Sequence, residues 1–349
     1  MNQNIKNIQR SLREWKLDAF LVSVEINRQY LSGFTGTRGY LLISSNDAWL
    51  FVDGRYTLRA KKESDLKILD DSKLSVYLQR IKKVAVEDKI SLNEYEHLNK
   101  KAAKELFVLS NVVETLRAIK TRQELEAIEK GSKITDLVFV HIVKFVRKNF
   151  GKITEERLVN EIKNFGKIKG AQAPFFDPIV AFGANSAIPH HLSSHKIIGK
   201  NNFLLFDISF LINGYHSDFS RTIFIGKPNK YQERVYNLVL SAQIKALNAI
   251  SVGKKAADVH ATVVREFKKN KMEKYFTHNT GHGLGLEIHE LPNFSPGSND
   301  TLEKNMVVTV EPGLYLPHKF GVRIEDMVIV GQKPRILSKI PKDLRAMIV

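Results

Sequence analysis

The stretch FLLFDISFLINGYHSDFSRTIF, residues 203–224, sets two acidic side chains inside apolar, strand-like runs. Asn213-Gly214 joins the runs. Both residues tolerate positive φ, so the pair predicts a two-residue hairpin turn. That turn places Asp218 opposite Ser209 and Asp207 opposite Ser220. Side chains alternate faces along a strand, so Asp207, Ser209, Asp218 and Ser220 share one face. The aspartates become diagonal neighbours, roughly 7–8 Å apart at the backbone. Two carboxylates held together among Phe and Leu repel one another and are costly to desolvate. A cation between them relieves both costs. For this hairpin alone, two solvated aspartates on an outward face is the other reading.

Two further runs repeat the theme. MVVTVEPGLYL (306–316) carries Glu311 in a β-branched run ending at Pro312-Gly313. GVRIEDMVIV (321–330) carries Glu325, with Arg323 two residues earlier on the same face. Either glutamate alone reads as an edge-strand charge. With the aspartates they make four carboxylates in apolar strands of one region. His282 joins them from NTGHGLGLEIHELP (279–292). The glycines there do not form a phosphate cradle. The Lys-Ser/Thr of a P-loop is missing, and the spacing does not fit a dinucleotide motif. Four carboxylates and one imidazole suit Mn²⁺, Co²⁺, Fe²⁺ or Zn²⁺ rather than a structural zinc, which favours thiolates. Five ligands on one ion leave little room for water. Shared between two ions about 3.5–4 Å apart, they make a co-catalytic centre. Gly281 and Gly283 then read as clearance for close backbone approach.

The remaining features set bounds. A chain of 349 residues is long enough for about two domains. Its lack of cysteine excludes a disulfide framework and thiolate chemistry and is consistent with a cytoplasmic location. MNQNIKNIQRSLREWK (1–16) has no continuous apolar core and does not read as a secretory signal. The longest apolar run, near 203–212, is interrupted by Asp207 and too short to span a bilayer. The net charge of +17 admits nucleic acid as a partner. The lysines, however, are scattered as pairs such as Lys61-Lys62 and Lys268-Lys269, without aromatic interleaving. A solvated basic surface is the expectation, and nucleic acid is not an expected partner.

Residues 1–118 read as a small α/β domain. Ile5, Ile8, Leu12 and Trp15 repeat at helical spacing, 19–24, 40–44 and 49–53 are strand-like, and 72–84 and 93–107 read as helical. Thr121-Arg122-Gln123-Glu124 is a capping box opening a helix to about Asn149, and Thr154 caps another. Strands near 178–183, 203–211, 215–225, 306–311 and 322–330, with helices near 229–250 and 256–270, make residues 119–349 an α+β domain. Phe175-Phe176 reads as wall packing, and His195 and His216 as ordinary histidines.

Asp207 and Asp218 in D-x-S-(x)8-D-(x)2-R-T, His282 in GHGLGLEIHE, Glu311 in VEPG and Glu325 in RIED resemble the pita-bread metallopeptidases. Within them the chain is similar to the proline-specific branch, aminopeptidase P and prolidase. The resemblance implies a creatinase-like N-terminal α/β domain followed by an α+β pita-bread catalytic domain. It implies two divalent ions, manganese expected and Co²⁺, Fe²⁺ or Zn²⁺ as alternatives. Asp207 would hold one ion, Asp218 and Glu325 would bridge both, and His282 and Glu311 would complete the second. Glu311 would also shuttle a proton. His190, in NSAIPHH (185–191), would stand on the substrate side, with adjacent His191 able to take its place. His289 would face the substrate carbonyl, His278 would bind substrate and Arg323 would support the site. Ser209 departs from the glycine usual in the family.

The implied activity is hydrolysis of an N-terminal Xaa-Pro bond, on peptides with proline in second position. That bond is a tertiary amide without an N–H and calls for an apolar pocket around the ring. A dipeptidase (prolidase) is the alternative and would need a pocket for a free carboxylate. Methionine aminopeptidase fits less well, given the leading domain and the RIED motif. A remote alternative is an inactive pita-bread binding module, a type expected to have lost metal ligands. A homodimer is compatible with the family, and no membrane partner is expected.

Overall fold

The computed structural model describes residues 2–101, 105–172 and 176–349, and the chain separates into Met1–Arg117 and Ala118–Val349. In the first unit the apolar runs Ala19–Val22, Tyr40–Ser44 and Ala48–Val52 pair antiparallel in sequence-adjacent steps. Lys83–Glu87 joins Ala19–Val22 in parallel, and Lys67–Asp70 and Glu105–Leu109 form the two edges of a six-stranded mixed sheet. The Asn2 side chain caps the helix Gln3–Trp15, which buries Ile5, Ile8 and Leu12. Trp15, the fourth member of the expected stripe, is 42% exposed, because the helix ends there at a left-handed Lys16.

Two expectations are corrected in this unit. Within 72–84 only Leu74–Leu78 is α-helical, and Lys83–Glu87 is a strand. Within 93–107, Leu92–Lys101 is helical and Glu105–Leu109 is a strand. Val84, Ala85 and Val86 are all fully buried. Such a short apolar run suits an interior parallel strand, and periodicity cannot separate it from a buried helix. Glu87 ends this strand. Its carboxylate accepts the N–H groups of Ser23 and Val24 and the Asn27 amide. Burial pushes its pKa up to about 7.

In the second unit the capping box at Thr121 opens the helix Arg122–Asn149, and Thr154 caps Glu155–Ile168. Ile179–Phe182, Asn202–Asp207 and Ser220–Ile225 form one antiparallel sheet, with Asn202–Asp207 at its centre. A five-stranded sheet runs in the order Glu290–Asn293, His282–Gly283, Val307–Val310, Asp326–Ile329, Arg335–Ile336. Helices Arg122–Asn149, Lys230–Ala249 and Ala256–Lys269 pack on these sheets through Phe139, Val239 and Val263.

Each of the two hairpins holds one register across an interruption. Asn213 and Gly214 take φ of 52° and 82°, as the turn requires. Tyr215 pairs with Ile212 and Ser220 with Asp207, the register the turn predicts. Between these pairs, 208–210 and 217–219 leave the strands. In the second hairpin Val310 pairs with Asp326 and Gly313 with Arg323. There 311–312 and 324–325 leave the strands. Asp207 borders the first interruption, Asp218 lies in it, and Glu311 and Glu325 lie in the second. In the second hairpin two freed backbone groups bond elsewhere: Glu311 N–H donates to Thr280 O at 2.8 Å and Glu325 N–H to Ser220 O at 3.1 Å. Those bonds tie the two hairpins and the His282 segment to one another.

Residues 340–349 close the back of the first hairpin. Val349 N–H donates to Phe224 O at 2.8 Å and Phe224 N–H to Met347 O at 2.9 Å. The carbonyls of Ile340 and Pro341 accept from Arg221, and Lys342 Nζ lies 2.7 Å from Asp326. No helix among the described residues is long and apolar enough to cross a membrane.

Candidate metal centre and active site

Carboxylate oxygens of Asp207, Asp218 and Glu325 lie within 4.8 Å of one another. His282 Nε2 is 3.7 Å from Asp218 Oδ2 and 3.3 Å from Glu311 Oε1. The five side chains expected to hold metal therefore meet, with Asp218 common to both groupings. Asp207 Oδ1 and Glu325 Oε1 are buried without a hydrogen-bond partner among the described residues. A buried, unpaired carboxylate oxygen is costly unless something binds it. Hard oxygen donors with one imidazole fit divalent cations, so these residues suit the metal pair.

His282 is held from both sides. Its N–H donates to Thr309 Oγ1 at 3.0 Å. Its Nδ1 lies 3.0 Å from the Gly283 carbonyl. A carbonyl only accepts, so Nδ1 carries a proton and Nε2 faces the carboxylates, the orientation a ligating imidazole needs. The flanking glycines give the room. A Cβ on Gly281 would stand 2.1 Å from Thr309 O, and one on Gly283 2.0 Å from Leu291 O.

Arg323 binds the centre to its surroundings. Nη2 donates to Asp207 Oδ2, Nε to Ser220 Oγ at 2.8 Å, and Nη1 to Tyr315 Oη at 3.0 Å and Pro189 O at 3.3 Å. Ser220 Oγ in turn donates to Glu325 Oε2 at 2.7 Å. Tyr315 Oη is 2.9 Å from His278 Nε2, and His278 Nδ1 is 2.7 Å from the Asn279 carbonyl. The carbonyl sets the direction: Nδ1 donates to it, so Nε2 accepts from Tyr315, whose oxygen accepts from Arg323. Sequence reasoning missed Tyr315 and Thr309, because their spacing from the ligands carries no signal. Ser220 was visible on the shared face of the first hairpin. Beside Glu325, Asp326 faces the other way and takes Arg221, Gln243 and Lys342.

Burial dominates the electrostatics. It pushes the Asp218 and Glu325 carboxyls well above their usual range, and their carboxylate neighbours add to it. Asp207 is also raised by burial, against the pull of Arg323. Burial works the other way on His282, yet Glu311 and Asp218 hold its imidazolium up to about 9. Glu311 resists its own burial and is held down to about 2 by His282. Burial lowers the pKa of His278 and of His289.

A cavity of about 570 Å³ opens over the ligands, with Phe176, Ile179, Leu192 and Ile288 on its apolar walls. Phe175 lies outside the described residues. His190, His278, His289 and Arg323 all line the cavity. The His289 ring stands 4.3 Å from that of His282 at 82°. His191 also borders it, but its Nε2 is committed to Glu155 at 2.9 Å. His195 pairs with Glu156 at the surface, and His216 is buried away from the cavity lining. The buried Ser209 hydroxyl bonds neither aspartate.

The sequence pattern of metallopeptidase family M24 matches residues 126–332, and that of the creatinase/prolidase N-terminal domain matches residues 4–119. Xaa-Pro dipeptidase of Pyrococcus furiosus is 33% identical over 99% of this chain and 100% of its own length. Among solved structures, Xaa-Pro dipeptidase from Bacillus anthracis superposes with a TM-score of 0.93 at 34% identity, covering 99% of both chains. X-Pro aminopeptidase from Thermotoga maritima superposes with a TM-score of 0.87 at 29% identity, again over 99% of both. These relatives carry the creatinase-type N-terminal and pita-bread architecture that the sequence led us to expect. Matched along nearly its whole length, and with an acid-rich centre where such enzymes need one, the chain belongs to metallopeptidase family M24.

Proposed function

We propose that the protein hydrolyses the bond between a first residue and a following proline in short peptides. The observation that carries this reading is the convergence of Asp207, Asp218, His282, Glu311 and Glu325 at the floor of an apolar-walled cavity. Asp207, Asp218, His282, Glu311 and Glu325 would hold the metal ions. Divalent ions there, manganese by preference, would supply an acidified water and polarisation of the carbonyl. Glu311 accepts a proton and returns it to the proline nitrogen. His190 and His289 face the substrate carbonyl. His278 binds substrate, and Arg323, joined to it through Tyr315, keeps Asp207 oriented. The apolar walls exclude water from the ring. The absence of cysteine favours a cytoplasmic setting, which cell fractionation checks.

The names of the relatives favour a dipeptidase over the aminopeptidase that the sequence reading put first. One observation favours the aminopeptidase. Arg323 is the only Arg or Lys among the described residues lining the cavity, and each of its three nitrogens already donates, to Asp207, to Ser220, and to Tyr315 and Pro189. A dipeptide's free carboxylate then meets no unengaged guanidinium or ammonium. Rates on Leu-Pro, Leu-Pro-Ala and Met-Ala-Ser, with Mn²⁺, Co²⁺ or Zn²⁺ supplied, separate the readings. Cleavage of Leu-Pro alone makes it a dipeptidase, and cleavage of Leu-Pro-Ala an aminopeptidase. Cleavage of Met-Ala-Ser alone refutes proline specificity. A metal-loaded but inactive protein with tight, salt-sensitive RNA binding supports the binding module.

A further inference from the structure

His190 is exposed at the cavity and makes no side-chain hydrogen bond among the described residues. The position of such a ring is set by the backbone that carries it. That backbone closes on a single carboxylate. Glu155 is wholly buried at the first turn of the helix Glu155–Ile168. It accepts the Phe182 N–H at 2.7 Å, the Asn185 amide at 2.9 and 3.1 Å and His191 Nε2 at 2.9 Å. It also accepts the Ser194 N–H at 3.0 Å and the Ser194 hydroxyl at 2.8 Å. These donors lie on both sides of His190 in the chain, and one of them is its immediate neighbour. Fewer ties come from elsewhere: Ser193 Oγ exchanges hydrogen bonds with the Val180 backbone at 2.9 and 3.0 Å, Gly321 N–H donates to Ser186 Oγ at 2.8 Å, and Arg323 Nη1 donates to the Pro189 carbonyl at 3.3 Å.

A carboxylate that gathers both ends of a segment fixes the loop between them. Its charge strengthens each bond and is favoured at a helix N-terminus. We propose that Glu155 is a positioning residue for His190: by holding Phe182, Asn185, His191 and Ser194 it sets the His190 imidazole over the metal-ligand cluster. The kinetic part of this proposal rests on the proline-peptidase reading. Its structural part does not.

Glu155→Gln keeps the size of the side chain but turns one acceptor oxygen into a donor facing other donors. In the full-length, metal-loaded protein it is expected to lose roughly 10–100-fold in kcat/KM with metal content per chain unchanged. His190→Ala is expected to lose a similar factor, and the double variant no more than the worse single one, because both remove the same contribution. Multiplied losses would mean that Glu155 merely stabilises the unit, and overturn the proposal. Carbon-13-labelled histidine rings give a readout free of turnover. Glu155→Gln is expected to shift or broaden the His190 signal, assigned through His190→Ala, and to leave that of His97 in the N-terminal unit alone. An unmoved His190 signal overturns the proposal even where activity falls. If the wild type cleaves no Xaa-Pro peptide, the functional reading fails and the spectrum still decides on Glu155. Should Glu155→Gln not fold, Asn185→Ala and Ser194→Ala each remove donors and spare the carboxylate. The same His190 signal is then expected to move with either, and its constancy in both overturns the proposal.

Discussion

At single residues, the pKa directions of the centre all bear on what happens when metal is removed. Asp218 and Glu325 are raised by burial, so each favours the folded state at low pH and loses that contribution as pH rises through its folded value. His282, raised to about 9 despite burial, contributes fully below its unfolded value near 6.5 and loses the contribution as pH rises through about 9. Glu311, lowered to about 2, contributes at every pH above its unfolded value and adds no slope from 6 to 9. The metal-free protein is therefore expected to lose stability from pH 6 to 9. Bound divalent ions displace these protons and offset the loss. The gap in thermal midpoint between chelated and metal-loaded protein should widen with pH over this range, and a gap that narrows contradicts the assignment of these ligands. Glu311→Gln tests the proton-transfer role. It is expected to keep the fold, with turnover down about 10²–10⁴-fold. Near-wild-type rates on an Xaa-Pro substrate would move that role to another residue. The candidate ligands were legible in the sequence because each carboxylate breaks an apolar run. Tyr315 was not, since its value lies in joining His278 to Arg323, a contact no local pattern encodes.

Among elements, the hairpins were legible and their interruptions were not. Asn213-Gly214 sets the turn, and period two then places Asp207 and Ser220 opposite one another. In the second hairpin, Glu311 and Glu325 leave the ladder to bond Thr280 and Ser220 carbonyls supplied by other segments. Close approach of segments also explains the glycines beside His282. At Gly281 an added Cβ would meet the Thr309 carbonyl oxygen at 2.1 Å, and both partners are backbone with little freedom to yield. Gly281→Ala is expected to cost about 1–3 kcal/mol and to weaken metal binding by displacing His282. Denaturant midpoints and a manganese titration measure the two effects, and an unchanged midpoint would mean that the strands part freely. In the N-terminal unit KVAVE defeated the helical reading because its burial on both faces erases the alternation a strand usually shows. Glu87 at its end is raised to about 7 by burial, so it stabilises the fold below its unfolded pKa and loses that contribution as pH climbs through 7. Glu87→Gln is expected to flatten the fall in thermal midpoint between pH 5.5 and 8. An unaltered slope would assign the fall to other groups.

On the scale of the whole molecule, the centre depends on contacts between residues remote in sequence. Lys120 and Glu290, both buried, pair at 2.9 Å across 170 positions, and Glu290 directly follows His289. Such pairs leave no trace in spacing, which is why the architecture could be read from local runs while the ties between them could not. The segment 340–349 is the clearest case. It carries no candidate metal ligand, yet it supplies the Ile340 and Pro341 carbonyls to Arg221, Lys342 to Asp326, and backbone partners to Phe224 on the strand that follows Asp218. Without it, buried Arg221 loses two carbonyl acceptors and buried Asp326 loses Lys342. A chain ending at Lys339 is thus expected to accumulate as insoluble or proteolysed product, which expression of that truncation beside the full chain checks. In genetic terms, a stop codon at position 340 would behave as a null allele, although it falls beyond every candidate metal ligand.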